Sequence, residues 1–188
     1  TFADPMAIDR ADDDTDDGSD RVAADELETL SMQRSTSAQR AARVRSDLTV
    51  SDWNPSPGGT VYALASGGGV LFAGGVFPDI GGVIRHGLAA FDANSGGLTG
   101  WNPGVDDEVY ALLVSGGTVY AAGSFTTAGG APRAGLVALD GTSGAPQPFD
   151  ARLSGGPVYT VALSGTTLYA GGAFTSVDGV ARSGLAAL

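Results

Sequence analysis

From about residue 60 onward, short apolar runs alternate with glycine-rich breaks. Val61-Tyr62-Ala63-Leu64-Ala65 is followed by Ser66-Gly67-Gly68-Gly69, then by Val70-Leu71-Phe72-Ala73-Gly74-Gly75 leading to Phe77. Runs this short, bounded by glycine, predict strands. Because they do not alternate apolar with polar, they predict strands covered on both faces. Further strands are predicted at Leu88–Phe91 and Leu98–Trp101. Between these two lies Asp92-Ala93-Asn94-Ser95-Gly96, a turn in which the Asp side chain accepts from amides two residues on and the Gly takes positive φ. That is hairpin chemistry and does not mark a carboxylate site. Ala73, Gly74 and Gly75 are poor strand formers, so their place in a strand predicts the close approach of a second sheet.

The same pattern occurs three times with a period of 48 to 49 residues. Tyr62, Tyr110 and Tyr159 correspond, as do Phe77, Phe125 and Phe174, and Arg85, Arg133 and Arg182 each follow eight residues after their Phe. Trp53, Trp101 and Phe149 mark another shared position, with Asn-Pro after both tryptophans. A fixed period in this range signals one supersecondary unit that buries its apolar faces against its neighbours. Four short strands with tight hairpins per unit are the blades of a β-propeller. The expected fold is therefore all-β, with three propeller-type blades over residues 49–188 and an acidic extension over residues 1–48.

The succession of VYA, AGG-x-F, GG-x-x-R-x-G-L, a DxxSG turn and WNP resembles the delta-60 repeats of large bacterial surface proteins. The likeness covers roughly residues 51–188. It implies a secreted or surface-exposed β-propeller repeat domain, and it brings little chemistry with it.

Three blades are fewer than a propeller usually needs to close. The chain also stops at Leu188, where the third unit still lacks its fourth strand, while Thr49–Pro55 reads as a fourth strand with no blade before it. The N-terminal strand is thus expected to complete the last blade. The open ring predicts two-fold pairing, completion by a partner, or a fragment of a longer chain. A β-trefoil, which also takes three four-stranded repeats, is the rival architecture.

The first 28 residues hold eleven Asp and Glu against two Arg, and Arg34, Arg40, Arg43 and Arg45 follow. A charge block of this kind reads as a solvated tail or an interaction segment. Asp20 is placed to cap a helix over about residues 20–34, with Val22, Ala23, Leu27 and Leu30 along one side. No uncharged apolar run is long enough to span a membrane, and the start at Thr1 predicts a processed or truncated chain. Net charge is −11 without a single lysine, which argues against nucleic acid and against anionic membrane surfaces. The absence of cysteine excludes disulfides and thiolate catalysis.

The nearest approach to a metal motif is Asp12–Asp20. Asp13, Thr15 and Asp17 fall at the first, third and fifth calcium-loop positions, with Gly18 at the sixth, but the twelfth position is Ala24 where a bidentate Glu is required. Calcium on a looser acidic loop competes with diffuse counterion binding, and no other cofactor is expected. His86 is the only histidine, and its counterparts are Ala134 and Ser183, so the repeat does not depend on it. Asp106, Asp107 and Glu108 are adjacent on a turn and diverge, which does not suit the paired carboxylates of glycoside hydrolysis. An arginine recurring before a strand suits a structural fork on loop carbonyls or on a neighbouring carboxylate. The recurring Trp and Phe suit packing between blades.

The expected function is non-enzymatic. A cell-surface or extracellular scaffold or adhesion module would bind a protein partner or a second copy. Carbohydrate binding, by a propeller or a trefoil, is the alternative, and a hydrolase with an axial site is the weaker one.

Overall fold

The computed structural model describes residues 51–188. The extension over residues 1–48, its helix expected over 20–34 and the calcium candidates Asp13, Thr15 and Asp17 lie outside the described residues.

Among the described residues the chain is all-β, antiparallel throughout and without a helix. The first sheet joins β1 (Thr60–Gly67), β2 (Val70–Val76) and, after a hairpin of β3 (Asp79–Ile80) and β4 (Val83–Ile84), β5 (Leu88–Asp92). The second joins β6 (Val109–Ser115), β7 (Thr118–Gly123) and, after β8 (Thr127–Ala128) and β9 (Ala131–Pro132), β10 (Leu136–Asp140). β11 (Leu153–Ser154) leads to the third, made of β12 (Val158–Ser164), β13 (Thr167–Gly172) and, after β14 (Ser176–Val177) and β15 (Val180–Ala181), β16 (Leu185–Ala187). In each sheet the second strand lies in the middle.

The small hairpins turn on residue pairs that both adopt positive φ: Gly81-Gly82 at 59° and 83°, Gly129-Gly130 at 58° and 76°, and Asp178-Gly179 at 46° and 76°. Such pairs match the twist of a two-residue hairpin. Each hairpin also receives the segment that leads into its unit, through Pro57 on Ile80, Val105 on Ala128, and β11 on β14.

Every first strand carries the same bulge. Pairing steps from Val61 to Ala63, from Val109 to Ala111 and from Val158 to Thr160, and it leaves Tyr62, Tyr110 and Tyr159 out of the ladder. A bulge re-aims the residue it frees. The three rings line up, with centroids 5.9 Å apart between Tyr62 and Tyr110 and 5.5 Å apart between Tyr110 and Tyr159.

Most of the core lies between sheets. Phe72, Leu88 and Ala90 of the first sheet meet Val109, Val119 and Leu139 of the second, with Trp101 between them. Ala122 and Leu136 of the second meet Val158, Leu168 and Ala170 of the third. The near side of the first sheet holds a smaller group, Ala73, Phe77, Ala89 and Phe91, covered by Trp53. A Cβ added to Gly74 would stand 2.6 Å from Cγ1 of Val109 and 3.2 Å from Leu112, so the second sheet does close on this glycine, whereas Gly75 is crowded by the Thr60 carbonyl of its own sheet and Ala73 packs on the near side.

Four expectations need correction. No sheet closes into a barrel among the described residues, which excludes the barrel of a β-trefoil. The fourth strand at Leu98–Trp101 shrinks to the bridge Phe91–Leu98, and its counterpart to Leu139–Pro146. Trp101 leaves the sheet for the next unit, and Pro103, Pro146 and Pro148 have no N–H for a ladder. Residues 51–56 likewise form no strand, and among the described residues β16 pairs with β13 alone, so 51–56 do not complete the third sheet, while Thr49 and Val50 of the expected strand lie outside the described residues. Finally, β2, β5 and β10 are covered on both faces, but β1 and β12 are not, because Leu64 and Tyr159 stand exposed where no further sheet packs among the described residues.

Candidate functional site

The Asp-x-x-Ser-Gly turns are where one unit takes hold of the next. Asp92 Oδ1 accepts from the amides of Asn94 (3.1 Å) and Ser95 (2.7 Å) and from the Ser95 hydroxyl (2.9 Å). Asp140 repeats the set with Thr142 and Ser143. Bonds from the Ser95 amide and hydroxyl, and from the Ser143 amide and hydroxyl, hold both carboxyls below the usual aspartate range. One oxygen of each carboxylate is thus taken up by three donors of its own turn, which fixes the turn. The backbone carbonyls of these turns receive the tryptophans: Trp53 Nε1 donates to Gly96 O at 2.7 Å, and Trp101 Nε1 to Asp140 O at 3.0 Å.

These rings also pack edge-to-face. Trp53 meets Phe91 at 5.3 Å and Trp101 meets Phe72 at 5.0 Å, while Phe149 meets Tyr120 at 6.2 Å. Trp101 is buried between two sheets and offers no face to a sugar. Phe77, Phe125 and Phe174 are buried too, one in each apolar cluster.

Arg85 is 9% exposed. Its Nη1 donates to Ile84 O at 2.8 Å and its Nη2 to Thr99 O at 2.7 Å, which ties the β3–β4 hairpin to the outer segment of the same unit. Arg133 does the same with Pro132 O and Gln147 O, at 2.7 and 3.2 Å. Arg182 donates Nη1 to Ala181 O at 2.9 Å, stands exposed, and has no partner for Nη2 among the described residues. The fork therefore binds carbonyls and not a neighbouring carboxylate, and its third copy is half used.

The acidic turn spreads its groups. Asp106 takes the Thr126 hydroxyl and the amides of Thr126 and Thr127, the amides at 2.8 Å each. Desolvation pushes the carboxyl of this exposed residue up, and those bonds together outweigh that and hold it low. Asp107 accepts the amide of Glu108. The Glu108 carboxylate instead raises the Tyr110 phenol through a side-chain hydrogen bond. His86 is exposed. Among the described residues no three His, Asp or Glu side chains are grouped to hold a metal ion.

Two apolar ends remain. Leu88 and Leu136 are 0% and 1% exposed, whereas Leu185 at the same register position of the third sheet is 67% exposed. Tyr169, at the position of the buried Phe72, is 42% exposed. At the opposite end Leu64 is 51% exposed, whereas its counterpart Leu112 packs into the cluster between the first two sheets. Sequence reasoning singled out none of these three residues. The signal was available: they are apolar at positions whose counterparts lie between sheets.

No protein-family model matches the chain, and no curated protein matches it. A solved structure described as the computationally designed Ika8 protein, crystal packing No. 1 in P63, is similar at 14% identity and a TM-score of 0.49, over 79% of this chain and 49% of that one. The chain thus spans about half the length of that designed protein, and a similarity of this size says nothing of function.

Proposed function

We propose that residues 49–188 are three blades of β-propeller type and that the protein is a non-enzymatic interaction module, a scaffold or adhesin at the cell surface or outside the cell, that binds other proteins through its open end faces. The observation that carries the reading is the contrast between Leu88 or Leu136, buried between sheets, and Leu185, exposed at the end. A contiguous exposed apolar face marks a contact surface. The three-stranded sheets, their shared bulge and the tyrosine row along their first strands are what blades around a common axis would present. The extracellular setting comes from the resemblance to delta-60 repeats.

Adhesion of cells displaying the chain to a protein-coated surface tests this reading. Leu185→Asp and Leu64→Asp are each expected to lower adhesion. Undiminished adhesion in both variants would sink the end-face reading. A second reading, glycan binding, has one observation in its favour, the half-exposed row of Tyr62, Tyr110 and Tyr159. Glycan-array binding that disappears in Tyr110→Ala would select it.

A further inference from the structure

The two open ends match one another, because each lacks what the other displays. Between the first two sheets, Phe72 and Leu88 come from one side and Leu112 and Leu139 from the other, and Trp101 is held by Asp140 of the second sheet while its ring packs on Phe72 of the first. At the free end of the third sheet, Tyr169 and Leu185 occupy the positions of Phe72 and Leu88 with nothing opposite them among the described residues. On the free side of the first sheet, Leu64 occupies the position of Leu112, and Trp53 is already held by Gly96 and packs edge-to-face with Phe91.

The backbone match extends further. Trp53 N–H donates to Ser51 Oγ at 3.3 Å, as Trp101 N–H donates to Thr99 Oγ1 at 3.2 Å. Residues 51–53 therefore have the local bonding of an outer segment, although among the described residues they lie against no preceding sheet. In the first two units the carbonyl at the position of Ser51, that of Thr99 or Gln147, accepts the second arm of the arginine fork. Arg182 has that arm without an acceptor among the described residues.

We propose that the chain associates head to tail with a second copy of itself. The third sheet of one copy receives the first sheet of the other, with Trp53 of the incoming copy on Tyr169, Leu64 near Leu185, and Arg182 Nη2 donating to the carbonyl of Ser51. Continuity with the two sheet–sheet contacts inside the chain selects this occupant over an unrelated protein. The interface is heterologous, so two copies close into a ring only if the rotation permits, and otherwise grow as a filament. The inference rests on the blade reading above.

Sedimentation of the 188-residue protein over a range of concentrations tests it. Wild type is expected at twice the single-chain mass or more. Leu185→Asp and Leu64→Asp, both at exposed positions that leave the fold intact by circular dichroism, are each expected to weaken association about thirtyfold or more, the scale of a central interface residue. The decisive arm is mixing them. Leu185→Asp keeps a sound first sheet and Leu64→Asp a sound third one, so an equimolar mixture is expected to recover a one-to-one complex. A wild type that stays single, association untouched by either variant, or a mixture that restores nothing overturns the proposal. Failure here is distinct from failure of the interaction reading. A single-chain wild type whose adhesion still depends on Leu185 removes self-association alone, whereas head-to-tail association without adhesion supports the present proposal and removes the adhesive role.

Discussion

The three arginines give one side chain in two situations, and so separate what the fork contributes from what the charge contributes. Arg85 spans two carbonyls at 2.8 and 2.7 Å in a buried site, whereas Arg182 reaches one and is exposed. Hydrogen bonds to an ionised donor are worth about 1.5–3 kcal/mol each, and a buried carbonyl left without its donor adds to the loss. Arg85→Ala is therefore expected to cost about 3 kcal/mol in urea unfolding, while Arg182→Ala in the dissociated chain stays within about 0.5 kcal/mol. Arg85→Lys is expected to fall near the alanine value, because an ammonium cannot hold both acceptors in the planar geometry of the fork. Equal losses at the two sites would show that burial and partner count do not set the contribution. The turn aspartates predict a pH dependence whose sign follows from their hydrogen bonds. Asp92 and Asp140 are held low in the fold by the amides and hydroxyls of Ser95 and Ser143. A carboxyl that ionises more readily folded than unfolded stabilises the fold where the unfolded group is also ionised, above about pH 4, and that contribution is lost as pH falls through the lower folded value. Melting temperature is expected to hold from neutral pH down to about pH 4 and then to fall, with a shallower fall in the Asp92→Asn, Asp140→Asn double variant.

At the scale of elements, the contact between the first two sheets depends on one small residue as well as on the large ones. Gly74 sits under Val109 and Leu112, so any Cβ there must displace the second sheet or its side chains. Gly74→Leu is expected to destabilise by about 1–3 kcal/mol or more as an overpacked contact, with Gly74→Ala costing less, both read from urea midpoints. An unchanged midpoint in the leucine variant would mean that the sheets part freely. Much of this was legible in the chain. Glycine in the middle of an apolar strand announced the close approach, and Asp92 with Ser95 and Gly96 announced the turn, because the groups that decide each lie within a few residues. The outer strand was misread for the opposite reason. Leu98 to Trp101 has strand composition, but its course is decided by Trp101 reaching Asp140, 39 residues away. The hairpin β3–β4 went unread because two-residue strands show no period. Only Gly81-Gly82 between Ile80 and Val83 marks it. The arginine recurrence was visible as well. Its acceptors, the carbonyls 14 residues further on, were not, since nothing in a side-chain pattern reports where a backbone oxygen points.

For the molecule as a whole, burial changes along the chain in a way that sets an order of local stability. The strands of the middle sheet have neighbours on both sides: β10 is buried over Leu136–Leu139, and Val119, Ala121 and Ala122 of β7 are buried. The end strands do not, with Leu185 exposed in β16 and Leu64 exposed in β1. When each sheet buries its faces only against adjacent sheets, stability is close to a sum over contacts, and an end sheet has one contact where the middle sheet has two. Local opening then costs least at the end whose outer segment is weakest. That end is the third sheet. Leu185 of β16 and Tyr169 of β13 stand exposed there, while β5 carries the Phe91–Leu98 bridge and the first sheet is capped by Trp53. Amide exchange in the dilute, dissociated chain is expected to be slowest in β7 and β10, faster in β1 and fastest in β16. The gradient has a second use, because it responds to what covers the ends. Association through the third sheet adds a neighbour to β16 and β13, so raising concentration is expected to slow their exchange and that of β1 together, and to leave β7 unchanged. Protection that rises in β16 alone would instead place an occupant on one end that is not the other end of a second copy.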